Sequence, residues 1–326
     1  MSGSDAKSPA TLSLDLDNLW AYLRTHGDDR WREYPSYLDR AVPRLLRLFD
    51  SLGVTITVFV VGRDLALPFH EKLFAAVAAA GHELGNHSYE HPVDFHRADQ
   101  ATVVDELTRT DSAIAAIAGR SPVGFRGPSY RLSNTIMETL PRLGYRYDAS
   151  TFPTFAGPLA RAYHVATSNL DAAGKARVRD LFGSMRDGLQ PLNPYLWGVG
   201  GEALYELPVT TFPLIRTPIH LTYINFIADY SPLLARAYLQ CALNCCRVSR
   251  ISPSLLLHAT DFIGADDHDC PRFLPGMKRT SEQKIKFLRD ILERYLAMFD
   301  VMPMADYVRT VATKRTLRRV DPANRP

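Results

Sequence analysis

Short groups of residues spread over this chain of 326 have types and spacings that can do chemistry. The stretch Ser13-Leu14-Asp15-Leu16-Asp17 carries two acids two positions apart. If it is extended, Asp15 and Asp17 share one face, roughly 7 Å apart. The stretch His87-Ser88-Tyr89-Glu90-His91 carries two imidazoles at i and i+4. On one helical turn both would reach a single ion. Two imidazoles and one carboxylate leave positions open for water, which is the catalytic pattern for zinc or a similar divalent cation. One of the two acids can then bind the ion while the other serves as a base toward water. Each group alone has a plain alternative: a solvated or capping acid pair, and two loop histidines.

Three further groups fit the same chemistry. Arg126, in Phe125-Arg126-Gly127-Pro128-Ser129-Tyr130, can hold a carboxylate through paired hydrogen bonds. The Gly-Pro turn after it can expose a backbone N–H as an oxyanion donor. His258 ends the apolar run Leu255-Leu256-Leu257, where a histidine is either a core residue or an acid–base group. The run Asp266-Asp267-His268-Asp269-Cys270 reads as a solvated loop, not a second metal site.

The elements that must position these residues alternate along the chain. Leu12, Leu14 and Leu16 against Thr11, Ser13, Asp15 and Asp17 have period two, a strand over 11–17. A polar loop with Trp20, Trp31 and Arg32 follows. Leu38, Val42, Leu45, Phe49 and Leu52 repeat at helical spacing before Gly53, a C-terminal cap. Val54–Val61 is a β-branched strand. The pattern then predicts a helix over 68–80, a strand over 82–86, a helix over 99–118, a strand over 123–125, a helix over 133–143 and a strand over 145–148. Such alternation implies parallel strands with crossover helices. From 151 to 201 the rhythm breaks into a Pro-, Gly- and aromatic-rich insert, with some helix expected near 172–182. A strand over 204–209, a helix over 231–246, a strand over 254–257 and a helix opening at Thr280 complete the body. In a parallel barrel the strand ends meet at one rim, so Asp15, His87, Arg126 and His258 can converge.

Composition bounds the function. The hydrophobic fraction is 46%, and Lys plus Arg exceeds Asp plus Glu by 38 to 35. The last 13 residues hold five basic side chains and one acid, so they carry +4 and the rest of the chain −1. A body this neutral argues against nucleic-acid binding. The charge leaves a peripheral contact between the basic tail and an anionic membrane as an expectation. Residues 1–10 read as a flexible N-terminus, 11–307 as one domain and 308–326 as a basic C-terminal tail. The start of the chain has no apolar signal segment, and no run is long and apolar enough to span a bilayer. Cys241, Cys245 and Cys246 cluster with no disulfide pattern and Cys270 stands apart, as expected of reduced thiols in the cytoplasm.

Taken in order, these motifs resemble the polysaccharide deacetylase superfamily (carbohydrate esterase family 4, with NodB homology). The resemblance rests on the Asp15/Asp17 pair, His87…His91, Arg126-Gly127-Pro128, Tyr147-Asp148-Ala149-Ser150 and Leu255-Leu256-Leu257-His258, and covers the chain from Thr11 to about Tyr307. It implies an α/β fold, a deformed (β/α) barrel of about seven strands. It implies one divalent metal ion, zinc before cobalt, nickel or manganese, held by Asp17, His87 and His91. Asp15 would be the base toward water, oriented by Arg126. His258 would protonate the leaving amine, oriented by Asp148 or by Asp261. The oxyanion donor would be the backbone N–H of Ser129 or Tyr130. The spaced acid pair resembles the branch with allantoinase-like, peptidoglycan-deacetylase-like and formyl-aminoarabinose lipid deformylase members. The usual Tyr after Arg-x-Pro is replaced by Ser129, and the usual Trp after the later Asp is missing.

The function expected from this reading is metal-dependent removal of an acyl group from an N-acylated amino sugar. A lipid-linked or nucleotide-linked biosynthetic intermediate is the expected substrate. Hydrolysis of a cyclic amide or ureide is the rival enzyme reading, and a non-catalytic sugar-binding module the rival from another class.

Overall fold

The alternation of Leu12 and Leu14 with Ser13 and Asp15 forms a strand, but one that starts earlier than the pattern predicts. In the computed structural model of the chain, which describes residues 7–168, 170–171, 174, 183–199, 202–274 and 276–322, β1 runs Ser8–Asp15. Residues 8–10 are therefore in the sheet, and residues 1–6 of the expected flexible start lie outside those described. The Trp-rich segment holds helix α1 (Leu19–Thr25), with Asn18 accepting from Leu19 N–H. Helix α2 (Leu38–Leu52) ends at Gly53 in the left-handed region, as its sequence cap predicts. Then come β2 (Thr57–Val60), the short α3 (Gly62–Leu65), α4 (Glu71–Ala79), β3 (Glu83–Asn86), α5 (Gln100–Ala118), β4 (Gly124–Phe125), α6 (Asn134–Arg142) and β5 (Tyr147–Asp148).

The insert holds α7 (Gly157–Thr167) and β6 (Tyr195–Val199), which turns back antiparallel on β7 (Glu202–Glu206). The helix expected near 172–182 lies outside the described residues. After β7 come α8 (Leu221–Ala228), α9 (Pro232–Val248), β8 (Ser254–His258), α10 (Ser281–Met298), β9 (Phe299–Met302), α11 (Met304–Lys314) and β10 (Arg319–Val320). Helix α11 runs through the boundary expected at 307, and β10 pairs with β6. The basic terminus is thus anchored to the sheet at Arg319 and Val320.

Seven strands lie parallel in the order β8-β1-β2-β3-β4-β5-β7. The chain leaving β7 returns to the start of β8, where Thr210 N–H donates to Ser254 O at 3.0 Å. The result is the deformed seven-strand barrel, with β6, β9 and β10 as additions outside the ring. Gly124 makes room inside it. A Cβ there would stand 1.9 Å from the Tyr147 ring, which crosses the interior. At the N-terminal end of the strands, Met304, Tyr307, Val308 and Val311 of α11 pack with Phe59 and Tyr147. The main core lies outside the ring, where Leu12 and Leu14 of β1 meet Leu45 and Phe49 of α2 and Leu288 and Leu292 of α10.

Candidate active site

All the strand-end groups predicted from the sequence meet at the C-terminal rim. Parallel pairing of Leu14–Asp15 with Leu257–His258 fixes Asp15 beside His258. Arg126, fully buried, crosses the barrel interior. Its Nη1 donates to Asp15 Oδ1 at 2.6 Å and to Ser13 Oγ at 3.0 Å, and its Nε to Ala149 O at 2.9 Å. A buried guanidinium of this kind is tolerable only when paired, and here the pairing aims the carboxylate.

Asp17, His87 and His91 bring three ligand atoms within 4.8 Å of one another. Asp17 Oδ1 lies 3.3 Å from His87 Nε2 and 3.4 Å from His91 Nε2, yet has no hydrogen-bond partner. His87 Nδ1 faces Arg126 O at 2.6 Å. It must donate there, so the neutral ring turns a lone pair on Nε2 toward the carboxylate. Burial drives His91 down to about 4, so it too is an uncharged donor. Burial alone would raise Asp17, but His91 and His87 beside it hold it well below the usual carboxylate range. His87 is lowered by burial and raised more by its contact with Asp17 and by Asp15, so its net shift is upward. Lone pairs converging on an unsatisfied carboxylate oxygen are what a divalent cation would satisfy. The donor set fits one.

The two histidines do not lie on a helical turn, as their spacing predicts. Residues 87–91 form an irregular loop with Ser88 at φ 63° and His91 at φ 50°. Its amides are taken by the scaffold instead. Tyr89 and Glu90 N–H donate to Glu106 of α5, while Ser88 O and Tyr89 O accept from Gly62 and Arg63 at the start of α3. Gly62 has to be glycine, because a Cβ would fall 2.5 Å from the Tyr89 ring and 2.4 Å from Thr110 Oγ1.

Tyr130 and Ser129 take different places. Tyr130 N–H donates to Gly127 O at 3.1 Å. Its hydroxyl lies 3.1 Å from Asp15 Oδ2 and 2.9 Å from His258 Nε2. Among the described residues, Ser129 N–H has no hydrogen-bond partner. Ser129 sits at φ 59°, on the cavity wall. Tyr130 is left-handed as well, at φ 56°, so what separates the two is the bond to Gly127: the Ser129 amide is left open, and Tyr130 meets the site through its side chain.

His258 is not held by Asp148. Asp148 accepts from Ser150 Oγ at 2.6 Å and Ser150 N at 3.1 Å; burial raises its carboxyl, and burial together with Asp148 pushes that of Glu206 well above the usual range. His258 Nδ1 lies 2.8 Å from Thr222 Oγ1, which donates to Asp261 Oδ2 at 2.9 Å. The same Asp261 oxygen accepts from His258 N–H, and Oδ1 accepts from Asn225 Nδ2. Asp261, not Asp148, is thus the acid linked to His258, through Thr222. Sequence reasoning missed Thr222 and His220. His220 is half-buried, its ring 5.9 Å from that of His258 and 5.7 Å from that of Phe152, and desolvation lowers it to about 3. It also caps α8, and the apolar run Leu221–Ala228 after it was the one readable signal.

The second acidic cluster is structural. Asp267 is bonded by Arg40 and Arg44, Asp269 by Arg40, and Asp266 by Ser281. The four cysteines are unpaired thiols.

The site opens into a cavity of about 900 Å³ between the rim, α7 and α8. Comparison with known proteins agrees with this picture. Residues 28–147 match the family model "Polysaccharide deacetylase". The chain is 28% identical over 146 residues to a peptidoglycan deacetylase of Helicobacter pylori, covering 42% of this chain and 47% of that one. It is 32% identical over 147 residues to a peptidoglycan deacetylase-like protein of Gibberella zeae, covering 43% and 42%. It spans less than half the length of these curated relatives. Among solved structures, a polysaccharide deacetylase of Mycobacterium smegmatis, itself assigned as putative, superposes with a TM-score of 0.65 at 24% identity over 98% of this chain and 96% of that one. PuuE allantoinase superposes with a TM-score of 0.59 at 15% identity over 96% and 93%. These two share the fold.

Proposed function

We propose, from the match of residues 28–147 to the polysaccharide deacetylase family model, that this chain is a hydrolase that removes the acyl group from the nitrogen of an N-acylated amino sugar. One observation carries the reading: a base, an acid and a three-donor cation site face the same cavity from one barrel rim. Asp17, His87 and His91 would hold a divalent cation, with zinc favoured by two imidazoles and one carboxylate. Bound there, the cation would supply a Lewis acid that acidifies water and polarises the amide carbonyl.

The chain's own groups do the rest. Asp15, held in place by Arg126, takes the proton of the attacking water. Ser129 N–H meets the oxygen that becomes an oxyanion. His258 gives its Nε2 proton to the departing nitrogen, a poor leaving group until protonated. Thr222 and Asp261 position it: with Thr222 Oγ1 donating to Asp261, Nδ1–H must be the donor to Thr222. The charged ring then satisfies a chain from Nε2–H through the Tyr130 hydroxyl to Asp15. A substrate amide entering the site breaks that chain and takes the proton's place.

We place the substrate among lipid-linked or nucleotide-linked intermediates on the cytosolic side. Four unpaired thiols support that compartment. No described helix is long and apolar enough to cross a membrane. Arg315, Arg318 and Arg319 are exposed and would give a peripheral contact with anionic lipid. The test is mass spectrometry of zinc-loaded enzyme with free, nucleotide-linked and lipid-linked acetamido sugars, and with a cyclic ureide. Loss of the acyl group from a sugar is expected. Ring opening alone would replace this reading with the cyclic-amide one. Binding to anionic vesicles should weaken when 314–326 is deleted, and equal binding would remove the basic terminus from the contact.

A further inference from the structure

The part of the cavity away from the reacting groups has its own chemistry. Val93, Leu132, Leu159, Ala160, Phe226 and Leu274 line it. Neutral polar groups such as Thr25, Thr154 and Gln190 also line the cavity, but uncompensated charge is scarce. His164 is lowered by burial to about 4, and burial also lowers His26, whose ring stacks on Phe273 at 3.9 Å. Arg131 is the one Lys or Arg among the described lining residues, and Asp187 neutralises it at 3.2 Å. A nucleotide diphosphate would be desolvated there with no uncompensated cation among the described lining residues, at a cost. A hydrocarbon chain would not. The volume, about 900 Å³, is at the upper end of ordinary ligand pockets and well beyond one monosaccharide.

The apolar surface continues outward. Leu159 and Phe226 line the cavity and are also exposed, at 75% and 38%. Phe226 meets Tyr230 edge to face at 5.6 Å, and exposed Leu233 and Leu234 follow in the first turn of α9. Lys278 Nζ stands 3.9 Å over the Tyr230 ring. An apolar strip leaving a pocket with a cation at its edge fits a chain that ends in an anionic headgroup region.

We propose that this lobe is the subsite for the hydrocarbon carrier of a lipid-linked amino sugar, with the chain leaving across Leu159 and Phe226. The proposal rests on the hydrolase reading for where the sugar sits, and it selects the lipid-linked over the nucleotide-linked substrate. It is tested by calorimetry on the zinc-loaded full chain with the methyl and n-dodecyl glycosides of N-acetylglucosamine, its uridine diphosphate ester, and methyl N-dodecanoylglucosaminide. The dodecyl glycoside should bind at least about 100-fold more tightly than the methyl one, a gain that burial of about four methylene groups accounts for. Leu159→Asp and Phe226→Asp, both at exposed positions where substitutions are tolerated, should each cut that ratio at least about tenfold. Equal affinity for the two glycosides overturns the proposal. So does tighter binding of the uridine diphosphate ester, or a preference that follows chain length on the nitrogen. Acyl release is read separately. Dodecyl preference without release would overturn the hydrolase reading and keep the subsite. Release with equal binding would do the reverse.

Discussion

At the N-terminal end of the barrel, Glu83 is buried with both oxygens engaged. Oε1 accepts from Tyr147 at 2.8 Å, and Oε2 accepts from Thr57 at 2.7 Å and from Ala305 N–H at 3.0 Å. At the C-terminal end, Asp17 is buried with Oδ1 unsatisfied, and Arg126 Nη2 is likewise without a partner. The two ends are built from the same strands and stand at similar depth. Satisfied polar groups stitch a core together. Unsatisfied ones store a demand that an ion, a water or a substrate can meet. The contrast is between two buried carboxylates, one spent on the scaffold and one with an oxygen left for a ligand.

Predictions that break or sharpen this contrast run from large effects to small. Stripping divalent ions with a chelator should abolish acyl release, and zinc should restore it; undiminished turnover would leave the Asp17 oxygen without a function. Asp15→Asn should lower kcat by about 10³-fold, within the range for loss of a general base, with one equivalent of metal retained by elemental analysis. Thr222→Val removes the acceptor for His258 Nδ1–H and should lower kcat by about tenfold to 100-fold, moving the alkaline limb of the kcat/KM profile to lower pH; a lost rate with an unmoved profile would make Thr222 merely structural. Glu83→Gln should act the other way, costing about 1–3 kcal/mol in denaturant unfolding while kcat of the folded enzyme stays within about twofold.

The smallest effect concerns Asp64, which is fully buried. Burial pushes its carboxyl up to about 7, although Asn18 and Trp20 both donate to Oδ1. The folded state then binds a proton that the unfolded chain has released, from about pH 4 to about pH 7. Stability from this group is present below that window and lost as pH rises through it. Asp64→Asn should flatten the fall and raise Tm at pH 8, by a few degrees for each ~1 kcal/mol recovered. A Tm profile unchanged between pH 4 and 8 would show that Asp64 does not titrate there.

How much of this was legible beforehand differs by residue. Helices α2 and α10 carried their own punctuation in Gly53 and in the Thr280–Gln283 box. Short-range hydrogen bonding sets such ends, so a few residues suffice to read them. The irregular His87–His91 loop was not readable, because its conformation is set by Glu106 and the start of α3, not by its own sequence. Helix α8 and strand β6 were missed for a related reason: each is held by neighbours more than by its own period.

The amino-acid sequence by itself determined the parallel architecture and the residues that reach the rim. Strand period and strand-end position are local, and local patterns persist in any packing. Only the tertiary structure decided who partners whom. Register between β1 and β8 set Asp15 beside His258. Packing of α8 put Thr222, and through it Asp261, on His258, while Asp148 was drawn to Glu206. A turn occupied the amide of Tyr130 and left that of Ser129 without a partner among the described residues. These outcomes depend on distances between groups far apart in the chain, which become finite only when the core closes.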